Sequence, residues 1–302
     1  MHRAMALSAV WLSTLLALGN RAAAAAPVPA LSSYDQVIGQ EVVHTVTAGE
    51  TLGHIAHAFG IPIHLAAAIN RLGDANRLHL GQRLVLSDRH IVPARLRDGL
   101  VVNVGDLMLY WLRDGAVVAN VPVGVGRVAW ATPAGHYTIV GRRHDPIWHV
   151  PRSIQREMQE QGEPVKKKVP AGPDNPLGKY WLQLSAGGYG IHGTNAPWTV
   201  GKYTTHGCIR LRPDDIERLY KEVPTGTAVD IINEPIKVAR LDGDRILLEA
   251  HPGVTDRPPE TAAPNIADRL REAGVIDLVD VDAAERVVRD AWGVAVDVSK
   301  RR

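Results

Sequence analysis

Between Gly99 and Val123 the chain is written in three short apolar runs, Leu100 to Val104, Leu107 to Leu112 and Val117 to Val123, rich in valine and leucine. That density of β-branched residues favours extended strands. Asp114-Gly115, between the second and third runs, is a two-residue hairpin signal, because such a turn needs positive φ at both positions. Further runs follow at His136 to Val140 (after Thr132-Pro133-Ala134-Gly135), Trp181 to Leu184, Tyr189 to Ile191 and Thr227 to Ile232. One helix is expected among them, Pro213 to Val223, with Pro213 in its first turn and Asp214 and Asp215 at the positive end of its dipole. The order predicts a mainly-β region, a barrel or sandwich with one helix beside it. Residues 141–179 carry few periodic apolar positions, so they are expected to be a lid or binding loop, with Lys166-Lys167-Lys168 as a solvated run.

The chemistry concentrates in Ile191-His192-Gly193-Thr194 and Thr204-Thr205-His206-Gly207-Cys208-Ile209-Arg210, which hold the single cysteine of the 302-residue chain. A thiol attacks carbonyls as thiolate, and a neighbouring imidazole can take its proton and return it to a leaving amine. Cys208 with His192 or His206 is therefore a candidate nucleophile and base. An inert buried thiol and a zinc site from His192, His206 and Cys208 are the alternatives, the second lacking any HxxxH spacing or second cysteine.

Met1-His2-Arg3, an apolar run to Leu18 and the small residues Ala22 to Ala26 read as a secretory signal peptide over 1–26. Export implies an oxidising space, where one cysteine cannot form an internal disulfide and favours use. The formal charge of +2 shows no basic excess, which with export argues against nucleic acid. No later run is long and apolar enough to span a bilayer.

A linker of Pro, Ser and Ala is expected over 27–41. The segment 42–88 then reads strand, helix, helix, strand: Val43 to Val46, a helix capped by Thr51 with Leu52, Ile55, Ala56 and Phe59 on one face, Gly60 ending it, a second helix opened by Pro62, and Gly81 to Leu86. His44-Thr45-Val46, Gly49-Glu50-Thr51-Leu52, Ile55-Ala56, Asn70 and Leu80-Gly81-Gln82-Arg83-Leu84 make this segment resemble a LysM module, a small α+β (βααβ) fold. The resemblance implies glycan binding between the loop Gly49, Glu50, Thr51, Leu52 and a second loop near residues 72–81. Beyond the β region, residues 235–302 are expected to form a hairpin through Asp242-Gly243, a linker around Pro258-Pro259 and Pro264, and a helical extension packed on the β region. Its second helix has Asp282 and Glu285 as a capping box and Gly293 at its far end.

Pro122-Val123-Gly124, Thr132-Pro133-Ala134-Gly135, Gly172 to Gly178, Ile191-His192-Gly193-Thr194-Asn195 and Thr205-His206-Gly207-Cys208-Ile209-Arg210-Leu211 make residues 96–234 resemble the L,D-transpeptidase (YkuD) catalytic domain. The branch is that of Gram-negative periplasmic enzymes that includes ErfK and YbiS. The resemblance implies a multidomain enzyme in the periplasm that acts on peptidoglycan stem peptides. Cys208 would attack the diaminopimelate–D-Ala bond and pass the acyl group to an amine of diaminopimelate, a D-amino acid or an outer-membrane lipoprotein lysine. In the roles it implies, His192 is base and acid, Thr205 orients the imidazole, His206 shapes the site, Gly207 and Cys208 offer oxyanion amides, and Arg210 holds a carboxylate. Gly193, Thr194, Tyr180 and Trp198 are expected at the substrate. No metal or other cofactor is implied, and carbapenems acylate such cysteines. A carboxypeptidase or endopeptidase with the same residues, and a non-catalytic wall-binding protein, remain the alternatives.

Overall fold

The computed structural model describes residues 31–59, 63–252 and 265–300. The leader expected over 1–26, the Gly60 and Pro62 punctuation and the linker around Pro258 and Pro264 lie outside the described residues. In the N-terminal third, β1 (Ser33–Tyr34) and β2 (Val37–Ile38) precede β3 (Glu41–Thr45), α1 (Leu52–Ala58), α2 (Ile63–Ile69), β4 (Arg83–Ser87) and β5 (His90–Ile91). β3 and β4 pair antiparallel, and Leu52, Ile55, Ala56 and Ala66 pack under them with Leu84 and Leu86. Thr51 Oγ1 accepts from His54 N at 3.2 Å, capping α1 as expected.

The segment 27–41 is not a free linker over its described part. β1 pairs parallel with the strand at Ile236–Leu241, β2 pairs with β5, and Leu31 and Tyr34 are buried. Two-residue strands are too short to show a period among prolines and serines, so only long-range pairing reveals them.

The central region comprises β6 (Gly99–Asn103), β7 (Met108–Arg113), β8 (Ala116–Pro122), β9 (Val125–Gly126), β10 (Gly135–His144), β11 (Trp148–His149), α3 (Arg152–Glu160), β12 (Lys168–Val169), β13 (Tyr180–Leu184), β14 (Gly190–His192), β15 (Tyr203–Thr205), β16 (Ile209–Arg210), α4 (Pro213–Glu222) and β17 (Ala228–Ile232). Asp114 and Gly115 take φ of 52° and 79°, the two left-handed positions that turn β7 into β8. One eight-stranded sheet runs β16-β14-β13-β10-β17-β6-β7-β8. β10 bends at a register shift between Ile139 and Gly141, so its first half pairs with β17 and its second with β13. The edges then meet: Gly124, just past β8, exchanges two 2.8 Å backbone hydrogen bonds with Arg210 of β16. The sheet thus curls on itself around Leu100, Val102, Ile139, Leu182, Ile191 and Ile209, with Ile216 and Leu219 of α4 sealing the core. β6 is buried throughout, its Val101 facing a second cluster with Tyr110, Leu112 and Val92.

The span 141–179 is less loop-like than its composition. It contains the end of β10, the β11–β12 ladder and the nine-residue helix α3.

The C-terminal part holds β18 (Ile236–Leu241), β19 (Arg245–Ala250), α5 (Ile266–Glu272), α6 (Val281–Asp290) and β20 (Val296–Asp297). The hairpin through Asp242 and Gly243 is present. Asp280, not Asp282, caps α6, accepting from Ala283 N at 3.0 Å, and Ala291 rather than Gly293 takes the left-handed position at its end. Asp282 falls inside the first turn, where its charge suits the dipole but its side chain sits past the capping position. The extension packs chiefly on its own hairpin and on the N-terminal module: Val294 joins that module's core, with Trp292 and Val296 against it. Apolar residues past Gly293 reach the nearer apolar face, which is the module rather than the curled sheet.

Candidate active site

β14 and β16 lie side by side and parallel, Ile191 opposite Ile209 and His192 opposite Arg210. The chain between them, 193–208, loops out and returns, so Cys208 arrives at the foot of β16 beside the strand that carries His192. Both side chains line one cavity of about 640 Å³, together with Arg210 and Trp181. That size suits a peptide-like ligand. α3 forms its opposite wall through Ile154, Glu157 and Met158, and Trp148 and His149 extend it.

His192 is buried, and its Nδ1 lies 2.6 Å from the Gly193 carbonyl oxygen. Nδ1–H must therefore donate there, which leaves Nε2 as the acceptor. Trp181, directly opposite across β13–β14, stacks on the imidazole with ring centres 5.7 Å apart. Gly190 makes room for that indole: a Cβ there would sit 2.5 Å from it. Burial, and secondarily the Arg210 charge, push the His192 pKa down to about 3, against the Gly193 and Leu177 carbonyls. Burial also pushes the Cys208 thiol up, opposed by the Gly190 backbone and Arg210. Both shifts favour the neutral forms of the two side chains.

Gly207 has φ of +104°, and a Cβ on it would meet Tyr189 Cε1 at 2.6 Å. Only glycine lets the chain turn there and present Cys208. Thr205 Oγ1 ties that turn, donating to Cys208 O at 2.6 Å and accepting from Gly207 N at 3.1 Å. Arg210 Nη1 donates to Thr199 Oγ1 at 2.8 Å, while its buried Nε has no partner among the described residues. Arg210 lines the cavity with its guanidinium anchored on that hydroxyl.

A profile of the L,D-transpeptidase catalytic domain matches residues 97–231, and one of the LysM domain matches 44–87. The "Probable L,D-transpeptidase ErfK/SrfK" of Salmonella typhimurium is 34% identical over 286 residues, 91% of each chain. The "Probable L,D-transpeptidase YbiS" of Escherichia coli is 33% identical over 243 residues, 76% of each chain. The "Putative L,D-transpeptidase YkuD" of Bacillus subtilis is 31% identical over 193 residues, 63% of this chain and 98% of that one. The chain belongs to the L,D-transpeptidase family. It is an acyltransferase of that class, with an N-terminal LysM module.

Against this family frame, the expected residues divide by place. Cys208, His192, His206, Thr205 and Arg210 all line the cavity. Thr205 does not hold the imidazole: its hydroxyl serves the Gly207–Cys208 turn and its carbonyl accepts from Arg127 N at 3.0 Å. Gly193 O holds it instead, so Gly193 acts through its carbonyl rather than at the substrate. The Gly207 amide is engaged by Thr205 and is not an available oxyanion donor. His206 Nε2 lies 2.6 Å from Glu157 Oε2 and 3.1 Å from Arg127 Nη2, which joins the cysteine turn to α3. Glu157 is held below the usual carboxylate range by Arg127 and then His206.

Three residues expected at the substrate lie elsewhere. Tyr180 packs on Tyr220 at 4.7 Å and His144 at 5.1 Å, because its strand position points it to the α4 side. Thr194 is buried, accepting from Ala196 N at 2.9 Å, and Trp198 is solvent-exposed on a short turn outside the cavity wall. Trp181, Glu157 and Arg127 are site residues that sequence reasoning missed. The alternation that places Trp181 opposite His192 was present in the sequence, but it needs the register to be read.

In the LysM module Gly49 turns at φ of 85°, and Glu50 accepts from Thr47 N at 2.7 Å and lies 2.9 Å from His44 Nε2. The Thr47 amide and then His44 draw Glu50 down to about 2. Thr51 is exposed, whereas Leu52 is buried in the module's core and cannot contact a glycan.

Proposed function

We propose that the chain is a periplasmic L,D-transpeptidase in which Cys208 and His192 make and resolve a thioester on peptidoglycan tetrapeptide stems. The observation that carries this is the pair itself: one thiol at the foot of β16 and one tautomer-fixed imidazole on the neighbouring β14, both lining a single cavity. As the substrate carbonyl arrives, His192 Nε2 takes the thiol proton and sulfur attacks the diaminopimelate carbonyl carbon. The oxyanion falls to the Cys208 amide, since the Gly207 amide is engaged. The C–N bond to D-Ala breaks, and His192 returns its proton to the leaving amine. An acceptor amine then attacks the thioester and gives its proton to His192. The C–S bond breaks, and sulfur takes the proton back.

Arg210, a cation that lines the cavity, is the group to hold a stem carboxylate. Acceptors of this chemistry are a diaminopimelate side-chain amine, a D-amino acid or an outer-membrane lipoprotein lysine, and water would give a carboxypeptidase. The LysM module, through the loop at Gly49–Thr51, keeps the enzyme on glycan strands and raises the local concentration of stems. Among the described residues no helix is long and apolar enough to cross a membrane. Incubation with a carbapenem and intact-mass measurement tests the nucleophile. A single adduct lost in Cys208→Ala supports the reading, and the absence of any adduct on the wild type would leave a wall-binding protein.

A further inference from the structure

Away from the cavity, the joint between β5, β7 and the β18–β19 hairpin encloses several charges. Lys237 is fully buried. Its Nζ donates to Asp106 Oδ2 at 2.7 Å and Ile91 O at 2.8 Å, and lies 3.0 Å from Glu249 Oε1. Glu249 is fully buried too, and Asp106 nearly so. Two carboxylates thus face one ammonium, and the joint is one positive charge short, a state that burial penalises strongly.

The other groups facing Glu249 are two imidazoles. His90 Nδ1 lies 3.0 Å and His251 Nε2 2.7 Å from the same carboxylate oxygen, Oε1, with the rings stacked at 21°. Two imidazole nitrogens converging on one carboxylate oxygen make the donor set of a divalent ion, with ligand atoms within 4.8 Å of one another. The other carboxylate oxygen accepts from Ile91 N at 2.6 Å, the kind of outer hydrogen bond that fixes a metal-binding carboxylate.

We propose that His90 Nδ1, Glu249 Oε1 and His251 Nε2 form a structural zinc site that fastens β5, at the exit of the LysM module, to the end of β19. The donor set suits zinc, which takes imidazole and carboxylate together at about 2.0–2.2 Å in tetrahedral geometry. Ligand atoms around such an ion stand about 3.3 Å apart, close to the 3.0 and 2.7 Å that separate the two imidazole nitrogens from Oε1. Lys237 occupies one lone pair of Oε1, and Asp106 beside it offsets its repulsion of the ion. The rings keep 22% and 12% side-chain exposure, which gives the ion a way in and a solvent molecule the remaining position. None of the three residues lines the catalytic cavity. The site goes beyond the metal-free chemistry expected from the sequence, where His90 and Glu249 are 159 residues apart and show no ligand spacing.

The test uses the mature full-length chain, stripped with chelator and titrated with zinc chloride by calorimetry, with metal content read by mass spectrometry. One zinc per chain and a Tm raised by several degrees are expected. The double variant His90→Gln, His251→Gln, which keeps Glu249 and Lys237, should lose at least about 100-fold in affinity, while Cys208→Ala binds as the wild type does. Should the double variant be unfolded by circular dichroism, His90→Gln alone takes its place, and unchanged affinity there overturns the proposal. Cobalt(II) on the wild type gives a check without variants: a d–d spectrum lacking a thiolate charge-transfer band is expected. No saturable zinc, or zinc lost in Cys208→Ala, would also overturn it.

Discussion

Acid should destabilise this protein through His192 more than through any ordinary surface histidine. The imidazole is buried neutral, with its pKa lowered from 6.5 to about 3 chiefly by desolvation and then by Arg210. Unfolded, it takes a proton near pH 6.5; folded, it does not until about pH 3. Between those limits the unfolded state binds more protons, so stability is complete above pH 6.5 and falls as pH drops. Each pH unit is worth about 1.4 kcal/mol, so at pH 4.5 the loss from this one group is about 2–3 kcal/mol. Urea unfolding at pH 7.5 and 4.5 measures it, with His192→Gln as the reference that cannot titrate. Wild type should lose about 2–3 kcal/mol more than the variant over that interval. Equal losses, or an imidazole that titrates by NMR at pH 6 or above in the folded protein, would refute the claim that the resting base is held neutral by burial.

Three further outcomes follow from the same geometry. The thiolate absorbance near 240 nm, taken as wild type minus Cys208→Ala, should be absent at pH 7 and appear only in the alkaline range; a thiolate already present at neutral pH would mean a resting ion pair instead. Gly207→Ala places a Cβ 2.6 Å from Tyr189 at φ of +104°, so it should cost at least about 2 kcal/mol in urea unfolding and slow carbapenem acylation about 100-fold or more. Glu157→Gln removes the carboxylate that joins α3 to His206 and Arg127, and should speed proteolysis within α3 and raise KM for stem peptide several-fold, with Cys208 still labelled at saturating carbapenem.

The parts of this molecule that were legible in the sequence are those set by local chemistry. Asp114-Gly115 could only be a tight turn, Pro213 with Asp214 and Asp215 announced α4, and Thr51 capped α1. What stayed hidden depends on partners distant in sequence. α3 has two large apolar residues, Ile154 and Met158, among nine, and no side-chain cap after Pro151. It is held to the site by Glu157 reaching His206, 49 positions away. β1 and β2 are visible only through their pairing with β18 and β5. At the site, the cysteine and histidine stood out by residue type, but the group that orients the histidine is a backbone carbonyl, which residue identity does not reveal. Tyr180 and Trp181 show the same limit: adjacent strand residues face opposite sides, and only the register tells which one meets His192.

The central claim is that Cys208 transfers an acyl group from a tetrapeptide stem to an amine. Purified tetrapeptide muropeptides, with and without a lysine-ended lipoprotein peptide, should be incubated with wild type and Cys208→Ala and the products weighed by mass spectrometry. Diaminopimelate-linked dimers or a lysine adduct, with D-Ala released and both lost in the variant, are the predicted result. Tripeptide as the sole product would make water the acceptor, and products indifferent to Cys208 would contradict the account.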